Sequence, residues 1–470
     1  MIQFGTGGWR AIIGEDFTKA NVRLITAAIA QKMRDSDTAE NGFVIGYDRR
    51  FLSELAAQWA AEVMIGMGVH CRVIRFEAPT PLIMFTVKFY RLYYGMAITA
   101  SHNPALYNGV KLFMKEGRDA DEALSREIER YAAETDEAAI PSIAYQEGVR
   151  KGLIEEINPM NEYVDSILRA LNMAAIRSRN LKIVIDPMFG VSKTALMTVL
   201  MTARCTVDVI NERHDALFGG RLPAPNSKTL SGLISYVEEH HCDIGIATDG
   251  DADRLGVIDD QCEFLHPNKI LVILYYYLLK MKGWHGAAVR NIATTHLLDA
   301  IAAHFGEACY ETPVGFKHIS AKMIESNAVI GGESSGGLTV RGHIQGKDGI
   351  FAAALLVEMI AVTGRKLSEI YREIIGQFGS YEMDESDFSF TEERKKEILK
   401  ILIQDKRLPD FSLEAERVSY LDGCKVYFKN GGWVIARFSG TEPLMRIFCE
   451  MPDMRQAIEI RETLRKFLGL

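Results

Sequence analysis

Cysteine is scarce and unpatterned in this chain. Its 470 residues carry seven, at positions 71, 205, 242, 262, 309, 424 and 449, with no CxxC pair. An odd, scattered set argues against a disulfide framework or a thiolate zinc site and fits reduced thiols. Long apolar runs are missing as well. The longest, Ile270 to Leu279, is bounded by Lys269 and Lys280; it is too short to span a bilayer and reads as a buried helix. The stretch MIQFGTGGWRA has neither the basic start nor the apolar core of a signal peptide, so a cytoplasmic protein with no membrane partner is expected. Basic excess is also lacking: 54 Lys and Arg against 62 Asp and Glu leave a net charge of −8, which argues against nucleic acid as the main partner.

What is present is a recurring α/β pattern. Apolar stretches at 42–46 and 71–74, at 182–186 and 205–210, and at 287–293 and 328–331 alternate with amphipathic helices near 54–67, 229–240, 269, 296 and 317. This spacing implies βαβ crossovers and mostly parallel sheets. Three strand ends can be aligned, GMAITASHNP, DIGIATDGDADR and SNAVIGGESSGG, which suggests an internal repeat of about 110 residues. The last hundred residues read differently. A charged helix at 391–404, a hairpin of strands at 424–428 and 433–437, and a closing helix at 453–470 describe a smaller α+β module. Polar stretches at 134–145 and 376–387 read as linkers.

Four loops carry chemistry. Ser101, in TASHNP, follows the buried strand Tyr94–Ile98, and Pro104 keeps that segment from becoming helical; carboxyl ends of strands are where open α/β sheets hold ligands. In DGDADR, Asp249, Asp251 and Asp253 alternate along a tight loop. They can converge on one hard cation, as Mg²⁺ requires, and a bound metal would relieve their repulsion. An EF-hand fails here, because Arg254 and Asp260 stand where Gly and Glu are needed. Gly332 to Gly336 contains a G-x-S-x-G pattern, but the residues after it favour extended chain over the helix that a nucleophile elbow needs; a polar loop offering Glu333 and Ser335 to sugar hydroxyls fits better. Arg437, Ser439, Gly440 and Thr441, with Arg446 behind them, have the composition of an anion cradle. Lys111, Lys317, His318 and Lys347 lie near these loops, and Gly346 to Gly349 lacks the spacing of a nucleotide P-loop.

FGTGGWRA (4–11), TASHNP (99–104), TDGDADR (248–254), GGESSGG (331–337) and RFSGTEP (437–443), in this order, resemble the motifs of the α-D-phosphohexomutases, the superfamily of phosphoglucomutase, phosphomannomutase and phosphoglucosamine mutase. The resemblance covers essentially the whole chain. It implies three similar α/β domains with mixed, mostly parallel sheets and a C-terminal α+β domain, heart-shaped around a central cleft. The expected domains are 1–148 with the phosphoserine loop, 149–256 with the metal loop, 257–375 with the sugar loop and 376–470 with the phosphate loop. By the same resemblance Ser101 carries a phosphoryl group, and Ser101, Asp249, Asp251 and Asp253 bind Mg²⁺. Lys111 is a candidate acid or base, His102, Arg254 and Arg10 line the site, and Glu333 and Ser335 read the sugar. Lys317, His318 and Lys347 also contact substrate, and Arg437, Ser439, Gly440, Thr441 and Arg446 bind the unreactive phosphate.

The implied reaction interconverts hexose 1-phosphate and hexose 6-phosphate through a hexose 1,6-bisphosphate, which also serves as activator. Three positions depart from the family pattern: Gly7, Trp9, and Gly337 where mannose- and glucosamine-type relatives carry histidine. The segment His343-Ile344 with Lys347-Asp348-Gly349 resembles glucose-specific mutases, so glucose phosphate is the expected substrate. The alternatives are a dual phosphomannomutase/phosphoglucomutase or a phosphoglucosamine mutase and, more distantly, a serine hydrolase using Ser334 or a non-catalytic sugar-phosphate binder. A monomer or homodimer is expected.

Overall fold

The structure, a computed structural model, describes residues 2–438 and 444–470. The chain divides into two compact units. One comprises residues up to 270 together with 335–368, and the other comprises 271–334 and the remainder from 369. Among the described residues no helix is long and apolar enough to cross a membrane. The apolar run at 270–279 lies within the helix Pro267–Lys280, and its residues are buried.

In the first unit, β1 (Trp9–Ile12), β2 (Phe43–Tyr47), β3 (Cys71–Ile74), β4 (Tyr94–Ile98), β5 (Tyr107–Met114), β6 (Arg118–Asp119) and β7 (Ile154–Ile157) form one sheet in the order β1-β5-β4-β2-β3-β7, with β6 on β5. The β2, β3, β4 and β7 pairings are parallel, and β4 with β5 is antiparallel. Every residue of β2 and β4 is buried, as expected of strands covered on both faces. The sheet extends past residue 148, because Ile154–Ile157 pairs with β3.

A second sheet repeats the plan with β8 (Lys182–Asp186), β9 (Thr206–Val209), β10 (Ile244–Thr248), β11 (Leu255–Ile258) and β12 (Phe264–Leu265), ordered β12-β11-β10-β8-β9. Again the parallel strand β10 is followed by an acidic loop and an antiparallel partner, β11.

The second unit contains β13 (Ala288–Asn291), β14 (Cys309–Thr312) and β15 (Ile330–Gly332), with β14 and β15 both parallel to β13; β16 (Leu338–Val340) belongs to the first unit. The second unit also holds an antiparallel sheet of β17 (Glu382–Ser389), β18 (Ala415–Ser419), β19 (Cys424–Phe428), β20 (Trp433–Phe438) and β21 (Leu444–Met451), ordered β17-β21-β20-β19-β18. Three α/β layers and a terminal α+β module are therefore present. The stretch expected as a linker at 376–387 is instead largely β17. Its acidic sequence hides an edge strand whose outer residues alternate between exposed and half-buried.

The two sheets of the second unit meet through Ile292 and Ala293 on one side and Tyr427, Trp433 and Ile435 on the other. Ion pairs run through this joint. Lys425 Nζ donates to Ile292 O at 2.6 Å and to Glu311 Oε2 at 2.8 Å, and Arg290 Nη1 donates to the same carboxylate oxygen at 2.7 Å. Glu450 is buried beside them and accepts from the His296 amide at 2.8 Å and from Trp433 Nε1 at 2.9 Å. Burial pushes its carboxyl above the ordinary value, against the pull of these donors.

A raised folded-state pKa means that the stabilisation from neutral Glu450 is complete below the unfolded value of about 4.3 and is lost as pH rises through the folded value. Glu450→Gln, which cannot ionise, should therefore gain thermal stability relative to wild type between about pH 5 and about pH 8, by on the order of 1 kcal/mol. Paired thermal melts across that range check this. A flat difference would show that Glu450 ionises as easily folded as unfolded.

Candidate functional site

The serine and acidic loops come together within the first unit. The end of β4 delivers Thr99 to Asn103, and Ser101 adopts a left-handed backbone, φ +52°. Its Oγ donates to Asp249 Oδ2 at 2.8 Å and lies 3.3 Å from His102 Nδ1. The two loops touch backbone to backbone: a Cβ at Gly250 would stand 2.8 Å from Ser101 O, so glycine in the acidic loop is a packing requirement.

Asp249, Asp251 and Asp253 each offer a carboxylate oxygen within 4.8 Å of the others, and all three are buried. Lys111, from the middle of β5, donates to Asp251 Oδ2 and Asp253 Oδ2, both at 2.6 Å. Lys347 Nζ lies 3.0 Å from Asp253 Oδ2. The Arg254 amide donates to Asp249 Oδ1 at 3.0 Å, and its Nε lies 4.0 Å from Asp249 Oδ2. Arg10, on β1, donates from Nη1 to Asn103 Oδ1 at 2.6 Å.

The electrostatics follow from this packing. Burial and the charges of Asp251 and Asp253 push Asp249 up to about 8. Burial opposes ionisation of Asp253 as well, but Lys111, Lys347 and Arg254 outweigh it and hold that carboxyl below the usual range. Burial also works against the Lys111 ammonium. Asp251 and Asp253 overcome it, so Lys111 is held as a cation. His102 is driven well below its ordinary value by burial and by Arg254 and Arg10, which keeps the imidazole neutral.

Asp251 Oδ1 and Asp253 Oδ1 are buried without a hydrogen-bond partner. Two orphaned carboxylate oxygens beside a third carboxylate form the donor set of a hard divalent cation, so the residues present could hold one. Four cationic side chains, Arg10, Lys111, Arg254 and Lys347, face three carboxylates, which leaves the site suited to an anion as well.

The departures noted in the sequence have structural causes. A Cβ at Gly7 would meet Arg10 Nη2 at 2.9 Å, so the bare glycine leaves room for the guanidinium. Trp9 is core, stacked on Phe17 with ring centroids 5.9 Å apart. A Cβ at Gly337 would fall 2.2 Å from Lys347 Cδ: the lysine stem occupies the space a side chain at 337 would need. His343 is committed elsewhere. Its Nε2 lies 2.6 Å from Asp348 Oδ2, which also accepts from Tyr163 OH at 2.7 Å, while Asp348 Oδ1 caps the helix Gly349–Thr363. Ser335 is exposed, on the turn before β16.

The remaining expected residues lie in the second unit. Glu333 follows β15 and accepts through Oε1 from Asn291 Nδ2 at 3.0 Å and from the Gly315 amide at 3.1 Å. Lys317 and His318 open the helix Phe316–Ser326. Arg437 Nε donates to Asp422 Oδ2 at 2.9 Å. Arg446 stands opposite Arg437 on β21, exposed, 3.6 Å from Asp387. Ser439, Gly440 and Thr441 lie outside the described residues. After Ser334 the chain continues into β16 rather than a helix, so the elbow geometry of a serine hydrolase is missing.

Thr80 was not anticipated. Its Oγ1 donates to Asp251 Oδ2 at 2.6 Å and its amide to Asp251 O at 2.9 Å. Nothing in APTP marks it, since the contact exists only once the two sheets have docked. Asp48 and Arg50 were also passed over, although they too stand at the carboxyl end of a buried parallel strand, β2.

Residues 1–139, 161–262 and 266–378 match the "Phosphoglucomutase/phosphomannomutase, alpha/beta/alpha" domains I, II and III, and residues 391–467 match the C-terminal domain of the same family. The chain is 31% identical over 469 residues to a "Phosphoglucomutase/phosphomannomutase" of Thermococcus kodakarensis, with 98% of this chain and 96% of the relative covered. It is 30% identical to a "Probable phosphoglucosamine mutase" of Methanothermobacter thermautotrophicus, with coverage of 99% and 97%. Among solved structures, a Thermus thermophilus protein described as a phosphomannomutase is 28% identical at a TM-score of 0.86, covering 100% of this chain and 99% of that one. This chain belongs to the phosphoglucomutase/phosphomannomutase family and is an enzyme of the phosphohexomutase class, an intramolecular phosphotransferase.

Proposed function

We propose that the enzyme interconverts the 1- and 6-phosphates of glucose and mannose, with Ser101 as the phosphoryl carrier. The observation that carries this reading is the placement of Ser101 Oγ 2.8 Å from Asp249 Oδ2, in a group of three buried carboxylates bridged by Lys111. Glucose alone was the expectation. The names of the relatives support a broader substrate range, and His343, part of the argument for glucose, is occupied by Asp348. Phosphoglucosamine is the second reading, favoured by a relative of nearly equal identity.

In this reading phosphorylated Ser101 gives its phosphoryl group to the free hydroxyl of a hexose monophosphate. The P–O bond to Ser101 Oγ breaks, a P–O bond to the sugar oxygen forms, and the sugar hydroxyl proton passes in net terms to Ser101 Oγ. The resulting hexose 1,6-bisphosphate then returns its other phosphoryl group to Ser101 from the opposite end of the sugar. Asp249, Asp251 and Asp253 would hold Mg²⁺, which when bound neutralises phosphoryl oxygens. Arg10, Lys111, Arg254 and Lys347 add fixed positive charge for the same equatorial oxygens, pre-oriented so that little reorganisation accompanies transfer. Held as an ammonium by two carboxylates, Lys111 suits the role of a cation or proton donor better than that of a base. His102 offers Ser101 a neutral ring nitrogen. In the second unit Glu333, Lys317, His318 and Arg437, with Arg446 and residues 439–441, would take the sugar and its distal phosphate.

Ser101→Ala should abolish turnover and the uptake of a phosphoryl group from hexose 1,6-bisphosphate, read by a coupled assay and by intact-protein mass. Near-normal activity would overturn the assignment. Lys111→Met should lower kcat by about 10²–10³-fold and also lower the melting temperature, because two buried carboxylates lose their partner; a variant as stable as wild type would contradict the bridge. Chelation followed by return of Mg²⁺ should remove and restore activity. Compared on one preparation, glucose and mannose phosphates should show kcat/KM values within about tenfold of one another and above glucosamine phosphate. The reverse order would favour the second reading.

A further inference from the structure

We infer that Arg50, backed by Asp48 and Thr99, is the positioning residue that fixes the Ser101 loop from its backbone side, so that the hydroxyl holds one place whether or not it carries a phosphoryl group. The inference rests on the reading of Ser101 as the phosphoryl carrier. The guanidinium of Arg50 is buried and makes four hydrogen bonds to the loop. Nη2 donates to Ser101 O at 2.5 Å and Asn103 O at 2.7 Å, and Nη1 donates to Pro104 O at 2.8 Å and Tyr107 O at 2.9 Å. One planar group thus gathers the carbonyls of the irregular segment between β4 and β5. A lysine could not do so, because its donors radiate from a single nitrogen.

The amide side of Ser101 is held by a second chain of bonds. Ser101 N donates to Thr99 Oγ1 at 2.9 Å, and Thr99 Oγ1 donates to Asp48 Oδ2 at 2.6 Å. The same Asp48 oxygen lies 3.3 Å from Arg50 Nε, and Asp48 Oδ1 accepts from the Arg50 amide and from Ser53 Oγ, both at 2.9 Å. Both peptide groups flanking the Ser101 Cα are therefore tied, directly or through Thr99, to one buried Asp48–Arg50 pair. This is the support a non-glycine residue at φ +52° needs in order to stay there.

Arg50 does not face the phosphoryl group. Its four Nη–H bonds are spent on carbonyls, and its face lies 4.8 Å from the centroid of the Phe218 ring. None of these contacts uses Ser101 Oγ, so adding a phosphoryl group there leaves every one of them intact. The side-chain partners of Ser101, Asp249 and His102, experience a changed charge at each transfer, whereas the backbone clamp does not. Its role is to keep the attacking and leaving oxygen in line through both half-reactions.

The test uses the full-length enzyme with Mg²⁺ and hexose 1,6-bisphosphate. Arg50→Lys should lower both kcat and the rate of Ser101 phosphorylation by roughly 10²-fold, with KM for the hexose monophosphate within about twofold of wild type. In Arg50→Ala, millimolar guanidinium but not ammonium should restore part of the lost rate. Thr99→Val, nearly isosteric, cuts the amide-side chain alone and should reduce the same two rates with KM unchanged; it keeps the inference testable if the Arg50 variants fail to fold. Wild-type phosphorylation rates in folded Arg50→Lys or in Thr99→Val, or losses that fall on KM, would overturn the clamp while leaving Ser101 as the carrier. A wild-type enzyme that accepts no phosphoryl group at Ser101 would overturn the carrier assignment, and the clamp with it.

Discussion

The coexistence of three carboxylates in a dry site is the constraint that shapes the first unit. Asp249, Asp251 and Asp253 are all at most 1% exposed, and unpaired charges so placed would be costly. Lys111 joins two of them at 2.6 Å, and Asp249 is driven towards holding a proton. Such an arrangement is a poor source of stability, since desolvation consumes most of what pairing returns. What it provides is readiness. Two carboxylate oxygens are left without donors, and the surrounding cations outnumber the carboxylates. The site is thus prepared for a metal ion and a phosphoryl group together, each lowering the other's electrostatic cost.

The backbone plan behind this is used twice. A buried parallel strand ends, a short loop follows, and an antiparallel strand returns: β4 to β5, and β10 to β11. In the first case the returning strand carries Lys111; in the second the loop carries the carboxylates. Parallel strands give the loops a rigid base, and the antiparallel return fixes where each loop must end. The acidic loop has further supports, since Thr80 holds Asp251 and the Gly349 amide donates to Ala252 O at 3.2 Å. Rigid placement suits chemistry that depends mainly on positioning and charge.

Much of this was legible in the chain because the loops follow strands whose apolar runs are unmistakable, and because alternating aspartates on a tight turn have few other uses. The contacts of Arg50 and Thr80 were not legible. Arg50 reads locally as one of two basic residues after a strand, and only the return of the chain past Pro104 and Tyr107 turns it into a clamp. β17 was misread as a linker because an edge strand needs no continuous apolar run. The sequence EMDESDFS satisfies its backbone through β21 alone, and its side chains could stay polar. His343 misled in the opposite sense. A histidine near Lys347 suggests chemistry, yet it serves Asp348, whose other oxygen caps a buried helix.

Substrate choice is separated in the molecule from phosphoryl chemistry. The charges of the first unit address a phosphoryl group, which every hexose phosphate carries, so they cannot discriminate among sugars. Discrimination requires groups that address hydroxyls, and a site built to hydrogen-bond a hydroxyl rejects an analogue that leaves its polar groups unpaired. On the proposed reading that work falls to Glu333. One of its oxygens already accepts from Asn291 and from the Gly315 amide, which fixes the carboxylate and leaves the other oxygen for the sugar. A single fixed acceptor can bond to a hydroxyl in either of two epimeric positions, provided the ring shifts slightly. It would reject a protonated amine far less strongly than it would reject a missing donor. Breadth between glucose and mannose follows from that economy of contacts, and stricter selection would need a second rigid polar group. At position 337, where relatives place a histidine, the stem of Lys347 leaves no room for one.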